Sequence, residues 1–206
     1  MKTEALIREL VAQVRPVRPV RHPLARFAAW ALAAAAWIAA AVAVVGVRGD
    51  LAAASRAPGF ASHVLVPLAL GLAATVVAFA ASVPRRHARW STLALGAVVA
   101  SWLGLAVVGA IWADGGHAGT GIRCVRNLAA FSIPPGVLLV LMLRRAAPLD
   151  RGTVGLVAAL GTAALAHVGT RFVCHNDGAL HILVWHCSFV LVTAAVGVLA
   201  GRALFR

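Results

Sequence analysis

The chain has 206 residues, 62% hydrophobic and 12% charged, with a mean hydropathy of +0.90. Soluble domains carry about 25% charged residues, so this composition excludes an ordinary water-soluble globule and makes lipid the solvent for most of the chain. The formal charge of +13 comes from 19 Lys and Arg scattered through tail and loops with no groove-reading motif, so no direct nucleic-acid partner is expected.

Residues 1–26 read as a separate N-terminal segment. Thr3 is placed to cap a short helix carrying Leu6, Ile7, Leu10, Val11 and Val14 along one face, with Arg8, Arg15 and Arg18 beside it. Pro16, Pro19 and Pro23 then force extended backbone. A helix this short is marginal alone in water, so it is expected to fold against a partner's groove or the lipid surface. The repeated Arg and Pro before the first apolar run also argue against a cleavable signal peptide.

From residue 27 to 206 the chain reads as an all-α polytopic membrane domain. A hydrocarbon core about 30 Å thick requires roughly 20 apolar helical residues per crossing. Six candidate spans meet this: Phe27 to Val47, Ala61 to Val83, Ser91 to Trp112, Leu128 to Leu143, Thr153 to Val173 and Leu180 to Leu199, the fourth being the shortest. Fourteen Lys and Arg fall on the side holding both termini and five on the other (Arg48, Arg56, Arg123, Arg126, Arg171). By the positive-inside rule both termini are therefore cytoplasmic.

Small residues four apart, Gly96, Ala100 and Gly104 in the third span and Gly155 and Ala159 in the fifth, permit close approach of helix backbones. Pro134 and Pro135 fall in the middle of the fourth span, where their missing amides free the carbonyls of Ala130 and Phe131. A kink is expected there, which makes this pair a candidate hinge.

The chemistry-bearing side chains collect on the outward side. Cys124, Cys174 and Cys187 all lie there, as do His63, His117, His167, His175, His181 and His186, leaving His22 and His87 inside. Thiol and imidazole are costly in lipid and mark sites by default, which gives weight to His167 and His186 within their spans. Cys124 and Cys174 can form a disulfide if their α-carbons come within about 7 Å. Together with His167, His175, His181, His186 and Cys187 they also form a candidate ligand set for a heavy-metal ion, although the spacing matches no standard zinc pattern. Thiolates serve both redox and metal sensing, so both remain open. The sequence has no Gly-rich phosphate loop, nucleophile elbow or His-Glu-x-x-His, and nothing in it supports an enzyme.

The opening Thr-Glu-Ala-Leu-Ile-Arg-Glu-Leu, the following Arg-Pro-Val-Arg-Pro-Val, the six-span layout, and Cys124 with the segment from Cys174 to His186 (ending His-Ile-Leu-Val-Trp-His) resemble the NrsF family. Members are multi-span inner-membrane negative regulators of extracytoplasmic-function (ECF) sigma factors. The resemblance implies a cytoplasmic N-terminal segment that holds an ECF sigma factor at the membrane. It also implies that outward Cys124 and Cys174 respond to heavy metal or oxidative stress, with Cys187 extra to the pattern. Two competing expectations are a redox protein with haem held by His167 and His186, and a small-solute or metal transporter.

Overall fold

A computed structural model describes residues 3–13, 21–57, 59–82, 88–112 and 118–205, of which 88–92, 105, 110 and 112 only as backbone. The described residues are helical and contain no strand. In chain order the helices are α1 (Thr3–Ala12), α2 (Pro23–Val45), α3 (Leu51–Ala54), α4 (Phe60–Ala81), α5 (Ala88–Trp112), α6 (Ile122–Arg144), α7 (Arg151–Arg171), α8 (Ala179–His181) and α9 (Ser188–Leu204). A π-helical turn, Ile182–Cys187, joins α8 to α9.

Among the described residues, five helices are long and apolar enough to cross a membrane: α2, α4, α6, α7 and the continuous rod Ala179–Leu204. α5 has 25 residues, but its apolar stretch, Leu93–Gly109, is shorter than these. α6 begins six residues before the expected fourth span, because Arg123, Cys124, Arg126 and Asn127 interrupt the apolar run without interrupting the helix.

Local sequence explains the helix ends. Pro23 occupies the first turn of α2, where its missing N–H is harmless, and His22 Nδ1 accepts from the Leu24 amide at 3.3 Å. Gly46, at φ 94°, ends the helix in a conformation that L side chains avoid. Asp150 Oδ1 accepts from the Thr153 amide at 3.1 Å and caps α7.

α7 is the axis of the bundle, packed against α4, α6 and α9, while α2 lies outside against α6 and α4. The apolar window of α7 is 72% buried and that of α2 only 11%, so α2 presents Leu32 and Val44 outward as a lipid-facing helix does. Close packing around α7 depends on glycine. A Cβ on Gly155 would meet the Gly197 carbonyl and Gly201 of α9, and one on Gly161 would meet Thr75 and the Gly71 carbonyl of α4. Gly96 and Gly104 have open space where a Cβ would lie, so only the fifth-span pair of small-residue positions marks a close crossing.

The prolines leave carbonyls that other helices satisfy. α6 runs unbroken through Pro134 and Pro135, and the Ala130 carbonyl freed by Pro134 accepts from Trp37 Nε1 of α2 at 3.0 Å. Trp30 Nε1, fully buried, donates to the Pro135 carbonyl at 2.9 Å. Pro67 acts likewise within α4: it frees the His63 carbonyl, which sits 3.1 Å from His167 Nε2 of α7.

Candidate thiol and imidazole site

Four buried side chains meet at one end of the bundle: Cys124, Cys174, His181 and His186, with their ligand atoms all within 4.8 Å of one another. Cys124 is the third residue of α6, and Cys174 follows the end of α7, where its amide donates to the Thr170 carbonyl at 2.8 Å. His181 and His186 are five residues apart. In a continuous α-helix, at 3.6 residues per turn, they would diverge by about 140°. The π turn between them has i→i+5 closure, which turns both imidazoles toward the sulfurs.

The two sulfurs lie 3.3 Å apart. His181 Nε2 is 3.5 Å from Cys124 Sγ and 3.6 Å from Cys174 Sγ. On the other side of the ring, His181 Nδ1 lies 2.7 Å from the Ala118 carbonyl. A carbonyl can only accept, so Nδ1 carries the proton and the Nε2 lone pair faces the thiols. The hydrogen bond with Cys124 holds the Cys174 thiol below its usual value, against burial, which alone would raise it.

His186 is fully buried, and neither ring nitrogen has a partner among the described residues. Its ring meets His181 edge-on at 5.5 Å and His167 at 5.1 Å between centroids. Direct ring contact between His167 and His186 leaves no room for a porphyrin plane between them. Trp185 covers the site: its Nε1 donates to the Ala118 and Gly119 carbonyls at 3.1 and 3.2 Å, and its ring occupies the place a Cβ on Gly121 would take.

The loop carrying Cys174 is held by two arginines with fully buried side chains. Arg48 binds Asp177 at 2.7 Å and Asp50 at 2.7 Å, and Arg171 binds the other oxygen of Asp177. The Arg48 amide also donates to the Phe172 carbonyl at 2.9 Å. Burial alone would raise the Asp177 pKa, yet the hydrogen bonds from Arg48 and Arg171 hold it below the usual carboxylate range. Asp50 is held at about 2, chiefly by its hydrogen bond from Arg48. A cavity of about 290 Å³, lined by His63, Phe60, Arg171 and Asp177, adjoins this clamp. A cavity of about 400 Å³ between α6, α7 and α9 is apolar and is lined by no titratable side chain.

Of the residues expected to bear chemistry, Cys124, Cys174, His181 and His186 converge. His167 stands one ring away, donating to the His63 carbonyl and stacking edge-on with Trp102 at 5.1 Å. His175 is exposed, and Cys187 is buried in the apolar core. Leu6, Ile7, Arg8, Leu10 and Val11 are all exposed on α1, while Val14, Arg15, Arg18 and His117 lie outside the described residues. Sequence reasoning missed Arg48, Arg171 and Asp177 as a unit; the available signal was an arginine followed within a few residues by an aspartate at the ends of two expected spans, Arg48 with Asp50 and Arg171 with Asp177.

A family model described as "negative regulator of sigma F" matches residues 10–206. The chain belongs to the NrsF family. A curated relative, the probable anti-sigma-F factor NrsF of Azospira oryzae, is 29% identical over the full length of both chains. No solved structure matches the chain. Within this NrsF-family fold the thiol site is formed from α6, the loop after α7, the end of α8 and the π turn, which packs against α5 and α6.

Proposed function

We propose that this chain is a membrane-held anti-sigma factor that sequesters an ECF sigma factor through residues 1–26 and releases it when Cys124 and Cys174 meet a soft metal ion or an oxidant. Six spans, with α5 as the sixth, keep both termini in the cytoplasm of a bacterial inner membrane and turn the thiol site outward. The observation that carries the sensing part is the buried Cys124–Cys174 pair, 3.3 Å apart, in an NrsF-family chain. A thiol pair this close has two fates. A two-electron oxidant removes two electrons and two protons and leaves a disulfide, closing the sulfurs to about 2.05 Å. A soft cation displaces the protons and is ligated by both thiolates.

Holding sigma falls to α1. Its Leu6, Ile7, Leu10 and Val11 are between 40% and 65% exposed, and none of its residues is buried against the bundle. An amphipathic helix with an unpartnered apolar face suits a groove on a partner protein. Signal passes from the thiol site along α6, whose Ala130 carbonyl, freed by Pro134, and whose Pro135 carbonyl accept from Trp37 and Trp30 of α2, the helix that follows the tail in sequence. The site biases this equilibrium only by its differential affinity for the two arrangements.

Co-purification of an ECF sigma factor of the same organism with the full-length protein tests the first half. Leu6→Asp with Leu10→Asp is expected to abolish capture without removing the protein from the membrane. Undiminished capture would remove α1 from the mechanism.

A further inference from the structure

We infer that Cys124, Cys174, His181 and His186 form a closed tetrahedral site for a divalent d10 cation of the zinc type, completed by the π turn that presents the two imidazoles. The inference deepens the sensing reading and relies on it only for its biological meaning. Whether the ion binds is a separate question from whether sigma is released.

Geometry is the first argument. With metal–sulfur bonds of about 2.3 Å and metal–nitrogen bonds of about 2.0–2.1 Å, a tetrahedron has edges of about 3.8 Å between sulfurs and about 3.6 Å from sulfur to nitrogen. The structure gives 3.3 Å for the Cys124–Cys174 edge, and 3.5 and 3.6 Å for the edges to His181 Nε2. The two sulfur–nitrogen edges therefore stand at metal-site spacing, and the sulfur–sulfur edge opens by about 0.5 Å to reach it. The fourth ligand, His186, is within 4.8 Å of the others, so a rotation that moves its ring nitrogen about 1 Å closes the figure.

Proton placement is the second argument. A ligating imidazole usually donates its remote N–H to a carbonyl or carboxylate, which fixes the tautomer and aims the lone pair at the metal. His181 has this arrangement, with Ala118 as the acceptor.

The third is the condition of His186. Burying two imidazole nitrogens without partners is unfavourable, yet the chain adopts a π turn, a rare conformation often found at functional sites, that brings this ring to the thiols. A cation would satisfy one of those nitrogens and account for the turn. Two thiolates neutralise a divalent charge, so the occupied site is electrically balanced in a buried place. The donor set of two sulfurs and two nitrogens suits zinc-like ions, whereas hard cations such as magnesium prefer oxygen. His175, exposed, and Cys187, in the apolar core, are outside the site.

Titration of reduced, full-length, detergent-solubilised protein with Co2+ tests this. One equivalent is expected to give the intense visible bands of tetrahedral cobalt with a thiolate charge-transfer band, both bleached by Zn2+. His186→Gln and His181→Gln should each weaken binding at least tenfold and alter the visible bands. His175→Gln and Cys187→Ser should leave affinity and spectrum unchanged. A pale octahedral spectrum, no binding, or tight binding that survives loss of both His181 and His186 would overturn the inference. If cobalt binds as described and sigma is nevertheless not released, the site stands and the sensing reading fails. If sigma is released by oxidant while cobalt does not bind, the reverse holds.

Discussion

The two ends of the bundle solve the same problem differently. At the tail end, Arg26 is buried at the start of α2, where it donates to the Met142 carbonyl and approaches Ser82 Oγ at 3.5 Å, with its guanidinium over the Phe79 ring at 4.9 Å. All of these partners are neutral. At the thiol end, two buried arginines share the carboxylate of Asp177, and the loop they pin carries Cys174. A buried charge with neutral partners gains little beyond its hydrogen bonds, whereas a charge-paired clamp can be broken by removing one residue. The thiol end is therefore the end whose loop depends on a single carboxylate.

Asp177→Ala should have the largest effect. It leaves the buried Arg171 guanidinium without a counter-charge, while Arg48 keeps Asp50, and should cost roughly 3 kcal/mol, at the low end of the range for breaking a buried pair because Asp177 itself is partly exposed to solvent. The thermal midpoint of the detergent-solubilised protein measures it, and a shift no larger than that of an exposed-residue control would mean that the clamp does not hold the loop.

Acid offers a second way to break the same end. The folded protein holds the Asp177 carboxyl below its usual range. Its contribution is thus complete above the unfolded carboxylate value of about 3.9 and is lost as pH falls below that, through the folded value. Thiol-labelling of Cys174 corrected for the intrinsic thiolate fraction should rise in that window. A flat corrected rate would show that the loop is held by something else.

Trp37→Phe, which removes the donor to the carbonyl freed by Pro134, should cost about 1 kcal/mol. Arg26→Met should change stability by less than about 1 kcal/mol in either direction, since an apolar side chain of similar length replaces a buried charge that lacks a carboxylate partner. A loss at Arg26 as large as that at Asp177 would erase the contrast between the two ends.

Much of this was legible in the sequence, and the part that was not has identifiable causes. Five of the six expected spans were readable because lipid forces each crossing into an apolar helix, although Arg123, Cys124 and Arg126 hid the first turn and a half of α6. The proximity of Cys124 and Cys174 followed from their positions at helix ends on one side. Convergence of His181 and His186 did not, because α-helical periodicity puts residues five apart on different faces and only the π turn realigns them. Arg48 and Arg171 read as loop charges counted toward topology; that both are buried around one aspartate depends on packing between segments more than 100 residues apart in sequence. The roles of Pro134 and Pro135 were half visible: the freed Ala130 carbonyl was foreseeable, but its indole partner on α2 was not.

The most direct test of the account is retention of the sigma factor by full-length protein in membranes, measured before and after exposure to cadmium or to a thiol oxidant, in the wild type and in the Cys124→Ser, Cys174→Ser protein. The account predicts that the wild type loses its sigma factor on exposure and that the doubly substituted protein keeps it. A substituted protein that releases sigma as readily as the wild type would contradict the assignment of sensing to this thiol pair.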